Sequence, residues 1–182
     1  MRKITIIVLL LILITGCNNI TYNNTPSSKV SNFFENYKTL NKNIIDELNL
    51  AIKKNKDKSN FEKKTYKQLL IKQYKNLEYK IKNEEIKNND AYVDVEIEVY
   101  DYEKENYYSK KYFLNNLKLF NIKANENIKE NKKYKNYKLS KLKKTKKRKK
   151  YSITLQLKKE NNIWKLVNLK KEDLKKIHGF TQ

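Results

Sequence analysis

One cysteine, one proline, one histidine and two glycines are all that 182 residues contain of these types. Each scarcity removes a kind of chemistry. A lone cysteine, Cys17, cannot form an internal disulfide. Glycine-rich phosphate loops and dinucleotide fingerprints need several glycines in register, and Gly16 and Gly179 cannot supply them. With His178 as the single histidine, HExxH and Cys/His zinc patterns are absent. A Ser-His-Asp arrangement would have to recruit His178 near the chain end, and no residue around it supports that. Arginine is nearly missing too: of 42 basic residues, only Arg2 and Arg148 are arginine. Base readout in nucleic-acid grooves leans on bidentate arginine, so nucleic acid is disfavoured as a partner. These absences predict a protein that is not an enzyme, with no catalytic residues, no metal and no cofactor.

Lysine is what the chain has in excess, and the formal net charge is +22. Such a charge points to anionic partners. Codon bias competes as an explanation, because Lys, Asn, Ile and Tyr are all abundant and all written with A/T-rich codons. The charge gathers in the run from Lys129 to Lys150. Lys143, Lys144, Lys146, Lys147, Arg148 and Lys149 are the candidate contacts to an anionic surface, against a plain solvated helix end as the alternative.

The first residues form an address. Met1-Arg2-Lys3 is basic, Ile4 to Ile14 is apolar, and Thr15-Gly16-Cys17 follows. An apolar run of about 11 residues is too short to span a bilayer, which takes about 20, but it suits an export signal. The ending Leu13-Ile14-Thr15-Gly16-Cys17 resembles the lipobox of bacterial lipoproteins. The resemblance implies a signal peptide over 1–16, cleavage after Gly16, and acyl chains such as palmitate on Cys17. Two or more acyl chains hold a protein stably on a membrane. Residues 17–27 then read as a lipidated polar tether. The expected location is the extracytoplasmic face of the cell membrane, in the cell envelope.

Val30, Phe33, Phe34, Tyr37, Leu40, Ile44, Ile45, Leu48 and Ile52 recur every three or four residues and predict one amphipathic helix over 28–54. Ser59 or Asn60 can cap a second helix over 60–75, striped by Tyr66, Leu69, Leu70 and Tyr74. The period then drops to two. Ala91, Val93, Val95, Ile97 and Val99 alternate with Tyr92, Asp94, Glu96, Glu98 and Tyr100, after a turn at Asn88-Asn89-Asp90. Facing Ile81 with Ile97 sets Lys80 opposite Glu98 and Lys82 opposite Glu96, which gives the acidic row structural partners. Ile86 falls out of phase, which predicts a bulge at Glu84-Glu85. Residues 106–149 read as helical with a break in the stretch Asn121 to Asn127. Strands follow at Tyr151–Leu157 and Ile163–Leu169, then a helical turn stopped by Gly179.

The order of helices and hairpins resembles the NTF2-like superfamily. The features that carry the resemblance are the helix Val30 to Ile52, the strand Ala91 to Asp101, and the closing strands Tyr151 to Leu155 and Ile163 to Leu166. In particular the chain is similar to small lipoproteins of that superfamily with a domain of unknown function. The expected class is therefore α+β: an NTF2-like cone over 28–182, with N-terminal helices packed on a curved antiparallel sheet of about four strands. The superfamily hosts enzymes and binding modules alike, so fold leaves function open. Its enzymes place an acid or base inside the cone, whereas the inward row here is aliphatic. Asp101 with Tyr100 is the only candidate acid pair. Tyr107, Tyr108 and Tyr112, near Tyr100 and Tyr102, form a candidate stacking patch, with core packing as the alternative.

The expected role is thus a membrane-anchored, non-enzymatic binding lipoprotein with a protein, an envelope polymer or a small apolar ligand as partner. The alternatives are a basic domain docking on anionic lipid or envelope polymer, and an enzyme or small-ligand binder using the cone as its pocket.

Overall fold

Ala91, Val93, Val95, Ile97 and Val99 form the floor of the core, each at most 1% exposed. They belong to β2 (Asp90–Tyr100), which lies between β1 (Glu78–Lys87) and β3 (Arg148–Glu160). A short β4 (Ile163–Leu166) completes the sheet, in the order β1-β2-β3-β4 with every pairing antiparallel. Asn88, Asn161 and Asn162 take positive φ in the turns, a conformation asparagine tolerates better than most residues.

The computed structural model describes residues 24–54, 58–122, 131–167 and 169–180. Gly16, Cys17 and the rest of the predicted signal lie outside the described residues. Among the described residues the helices are α1 (Pro26–Lys38), α2 (Lys42–Lys54), α3 (Asn60–Lys75), α4 (Tyr102–Asn115), α5 (Lys132–Lys144) and α6 (Lys171–His178). A 3-10 turn covers Leu117–Phe120. The class is the α+β one expected: helices packed against an open four-stranded antiparallel sheet, an arrangement that fits a cone-like fold.

The expected single helix over 28–54 is two helices. α1 starts before Ser28, because Thr25 and Ser28 form a capping box with Pro26 in the first turn. It stops at Thr39, whose hydroxyl donates to the Glu35 carbonyl. Leu40 then takes a left-handed φ of 54°, and the Asn41 side chain accepts the Asn43 N–H at 3.0 Å to start α2. The apolar stripe is continuous in sequence and both halves enter one core, where Leu48, with Ile44 and Ile52 against it, joins Val30, Phe34 and Tyr37. Val30, Phe34 and Tyr37 of α1 cover the sheet, with Phe34 stacked on Tyr79 at 4.8 Å. α2 lies alongside α3.

The β1–β2 hairpin pairs Tyr79 with Ile97 and Ile81 with Val95, so it is shifted by two residues from the expected register. A shift of two keeps every side chain on its expected face. The bulge is also present, but between Ile81 and Asn83 rather than at Glu84-Glu85. After it, Glu84 and Ile86 oppose Val93 and Ala91, so they join the inner row. Glu84 then reaches the start of α1, where its carboxylate accepts the Ser27 N–H at 2.8 Å. A carboxylate at a helix N-terminus is stabilising there.

Two smaller clusters tie the helices together. Leu69, Tyr102, Leu139 and Leu142 join α3, α4 and α5. Phe113, Phe120 and Tyr134 join α4, the 3-10 turn and α5. The long helical stretch breaks earlier than expected, with α4 ending at Asn115 and a separate helix, α5, starting at Lys132; most of the expected break, residues 123–127, lies outside the described residues.

Candidate functional site

The inner face of the sheet is filled. Val93, Val95 and Ile97 pack in one cluster with Val30, Phe34, Tyr74 and Ile177, all of them buried. Open space lies elsewhere, in a groove of about 1100 Å³ bounded by α3, α4, α5, the start of β3 and Phe180.

Local chemistry holds these walls apart. Asp101 follows β2 and caps α4, its carboxylate accepting the Lys104 N–H at 3.0 Å. The Asp101 N–H donates to the Lys147 carbonyl at 2.9 Å, which fixes the start of α4 beside β3. Tyr102 is fully buried and donates its hydroxyl to the Leu69 carbonyl at 3.1 Å, locking α4 onto α3. Asn131 caps α5 by accepting the Tyr134 N–H at 2.8 Å, and donates to the Phe120 carbonyl at 3.1 Å.

Six lysines line the groove: Lys58, Lys104, Lys110, Lys135, Lys138 and Lys149. Against them stand the carboxylates Glu62, Asp101 and Glu103, each already bonded within the protein. Asp101 is the cap just described. Glu103 lies 3.4 Å from Lys149. Glu62 lies 3.5 Å from Lys135 and completes a capping box with Ser59 at the start of α3. Burial pushes the Glu62 carboxyl up, but the Ser59 amide and hydroxyl together with Lys135 hold it below the usual range. Lys58 sits 3.7 Å over the Tyr66 ring, where burial lowers its pKa and Glu62 opposes the shift. Burial raises the Tyr66 and Tyr134 hydroxyls. Tyr107 and Tyr108 are 62% and 45% exposed on the wall and meet edge to face at 5.6 Å.

Asn106 also lines the groove, and its side-chain oxygen is buried with no hydrogen-bond partner. A second space of about 610 Å³ shares Glu62 and Lys135 with the groove, so their ion pair stands between the two.

The structure divides the predicted basic cluster. Lys143 and Lys144 end α5, Lys146 and Lys147 lie in the connection, and Arg148 and Lys149 open β3. Lys149 lines the groove. Lys147 sits 5.4 Å over the ring of its wall residue Tyr108, and Lys143 lies 5.9 Å over Phe61 of the second space. Lys144 and Lys146 are exposed. Arg148 lies on the outer face of the sheet and bonds Glu98 at 3.0 Å, Glu78 at 3.2 Å and the Asn76 carbonyl at 2.9 Å. Of the tyrosine patch, Tyr107 and Tyr108 reach the groove, Tyr112 stacks on Tyr137 at 4.9 Å, and Tyr102 is core. Lys58, Lys104, Asn106 and Lys135 carry no motif in sequence. The nearest signal is Lys135 and Lys138, three apart on one helix face.

Among the described residues no group of three His, Cys, Asp or Glu could hold a metal ion, and no helix is long and apolar enough to cross a membrane. No family model, no curated protein and no solved structure matches the chain.

Proposed function

We propose that this protein is an extracytoplasmic lipoprotein, held on a membrane by lipid at Cys17, that works by binding an anionic partner in the groove between α3, α4 and α5. The anchoring rests on the lipobox-like ending Leu13 to Cys17 behind a basic start and a short apolar run. One observation carries the binding role: six lysines face three carboxylates that are all engaged inside the protein. A groove so composed attracts anions and concentrates them. The packed inner face of the sheet supports a site outside the cone that the NTF2-like resemblance implies.

The anchor is tested by expressing the full chain in a lipoprotein-processing bacterium and weighing the membrane-extracted protein. The expected mass corresponds to a chain starting at Cys17 plus acyl groups, and Cys17→Ala should leave the protein without them. An unmodified Cys17, or a mature chain that retains residues 1–16, would overturn the anchor.

A further inference from the structure

We infer that the free edge of β1 pairs antiparallel with β1 of a second copy of this chain, about a two-fold axis, which joins two four-stranded sheets into one. β2 pairs with one side of β1, and among the described residues no strand pairs with the other. Eight of the ten residues of β1 are exposed. Such an edge presents a row of backbone N–H and C=O groups that can pair with another chain. Shortness, proline, a bulge or clustered lysine can blunt an edge. Across the sheet, β4 is four residues long, and the part of β3 beyond it opens with Arg148, Lys149 and Lys150. That side is short or basic, and β1 is neither. It is ten residues long, has no proline, and balances Lys80, Lys82 and Lys87 with Glu78, Glu84 and Glu85. A chain with a net charge of +22 thus has a free edge that is itself neutral.

Charge complementarity selects the second copy and sets the register. Placing Lys82 opposite Asn83 of the copy brings Glu78 opposite Lys87 and Lys80 opposite Glu85, and the symmetry repeats each pair. Opposite charges directly across strands are stabilising. Tyr79 meets Ile86, which is 53% exposed in the single chain. Ile81 meets Glu84, whose carboxylate already accepts the Ser27 N–H. Lys80 makes no ion pair among the described residues, since Glu96 opposite it on β2 is held by Lys82 and Lys150.

The bulge permits this register. In a regular strand alternate residues share a face and a hydrogen-bonding sense, so a two-fold pairing joins only residues an even number apart. Lys80 and Glu85 are an odd number apart, as are Glu78 and Lys87. The extra residue between Ile81 and Asn83 corrects the phase. Glu78, Lys80, Glu85 and Lys87 oppose Glu98, Glu96, Tyr92 and Asp90, even-numbered residues of the unbroken β2, so all four share one face and one sense. The feature that could blunt the edge therefore aligns its charges with those of a copy.

The test is sedimentation velocity of the full chain in detergent, at about 0.15 M salt, where the Debye length of about 8 Å screens the like charge of two basic chains. The samples are the parent, Lys80→Glu, Glu85→Lys, and an equal mixture of the two variants. The parent should show a concentration-dependent monomer–dimer equilibrium. Each variant alone should dimerise about tenfold more weakly, because like charges then face each other twice per dimer. The mixture should recover the dimer, because each variant carries the charge that the other lacks. Loss of folding in a variant cannot be rescued by mixing, so recovery reports the pairing itself. Location is read by mild oxidation in the Cys17→Ala background. Asn83→Cys sits beside its own counterpart across the axis and should form a disulfide-linked dimer, whereas Lys165→Cys on β4 should not. A parent that stays monomeric up to its solubility limit would overturn the inference. So would a dimer that both charge variants leave intact, or one cross-linked through Lys165→Cys and not Asn83→Cys.

Discussion

Glu78 and Glu98 stand directly opposite each other across β1 and β2, and Arg148 binds both. Like charges in that position are destabilising. The guanidinium resolves the conflict with Nη2 3.2 Å from Glu78 and Nε 3.0 Å from Glu98, while Nη2 also donates to the Glu98 and Asn76 carbonyls at 2.9 Å. Its ring neighbour is Tyr100, at 5.5 Å. The only arginine outside the N-terminal segment is therefore the one basic residue of the cluster whose planar fork the fold uses.

Arg148→Met leaves two facing carboxylates and two carbonyls without their donor. Charge-assisted bonds of this kind are each worth about 1.5–3 kcal/mol, less where water screens them, so the net loss should be about 2 kcal/mol. Chemical denaturation measures it. Adding Glu78→Gln to Arg148→Met should recover part of the loss. A double variant as unstable as Arg148→Met alone would show that charge opposition is not the reason for the clamp.

Gln73 is a second fastening, buried where α3, β2 and α6 meet. Its side chain accepts the Tyr100 N–H at 2.9 Å and donates to the Ile177 carbonyl at 3.2 Å. Gln73→Leu fills the space yet strands both backbone groups, at about 1–3 kcal/mol each. The expected loss is about 3 kcal/mol in urea unfolding. A loss under 1 kcal/mol would mean that water or a backbone shift replaces the amide.

His178 gives the fold a pH dependence. Burial lowers its pKa from 6.5 to about 4, and its ring packs 5.7 Å from that of Tyr74. The folded state therefore binds fewer protons than the unfolded state between about pH 6.5 and 4, so stability must fall as pH falls through that window. From pH 7 to 4.5 the loss should be about 2 kcal/mol from this group. Unfolding of the parent chain and of His178→Gln at both pH values isolates it, because the variant should lack that component. Equal pH dependence in the two proteins would assign the acid sensitivity to other groups.

Most of the local structure was legible in the sequence. The alternation Ala91 to Val99, the asparagine turns and the stripe of α1 are short-range patterns, and each element forms close to where its pattern lies. Side-chain period names the face but not the register. Pairing Ile81 with Ile97 or with Val95 satisfies the same alternation, and the expected pairing had the attraction of Lys80 opposite Glu98. The true register sets Glu78 against Glu98, a cost visible only once Arg148 of β3 is seen to bind both. The break at Leu40 was hidden because the apolar stripe continues through it and both sides of the bend enter one core.

By itself the sequence determined the α+β class, the buried row of β2 and the scarcity of cysteine, histidine and glycine, because composition and short-range period carry these. Only the tertiary structure decided that the sheet face is filled, that Arg148 serves the fold, and that a lysine-rich groove opens between three helices. Its walls run from Lys58 to Phe180, residues far apart in the chain. No local pattern sets which of them converge. That depends on how the packing of Tyr102, Leu139 and Leu142 brings α3, α4 and α5 together.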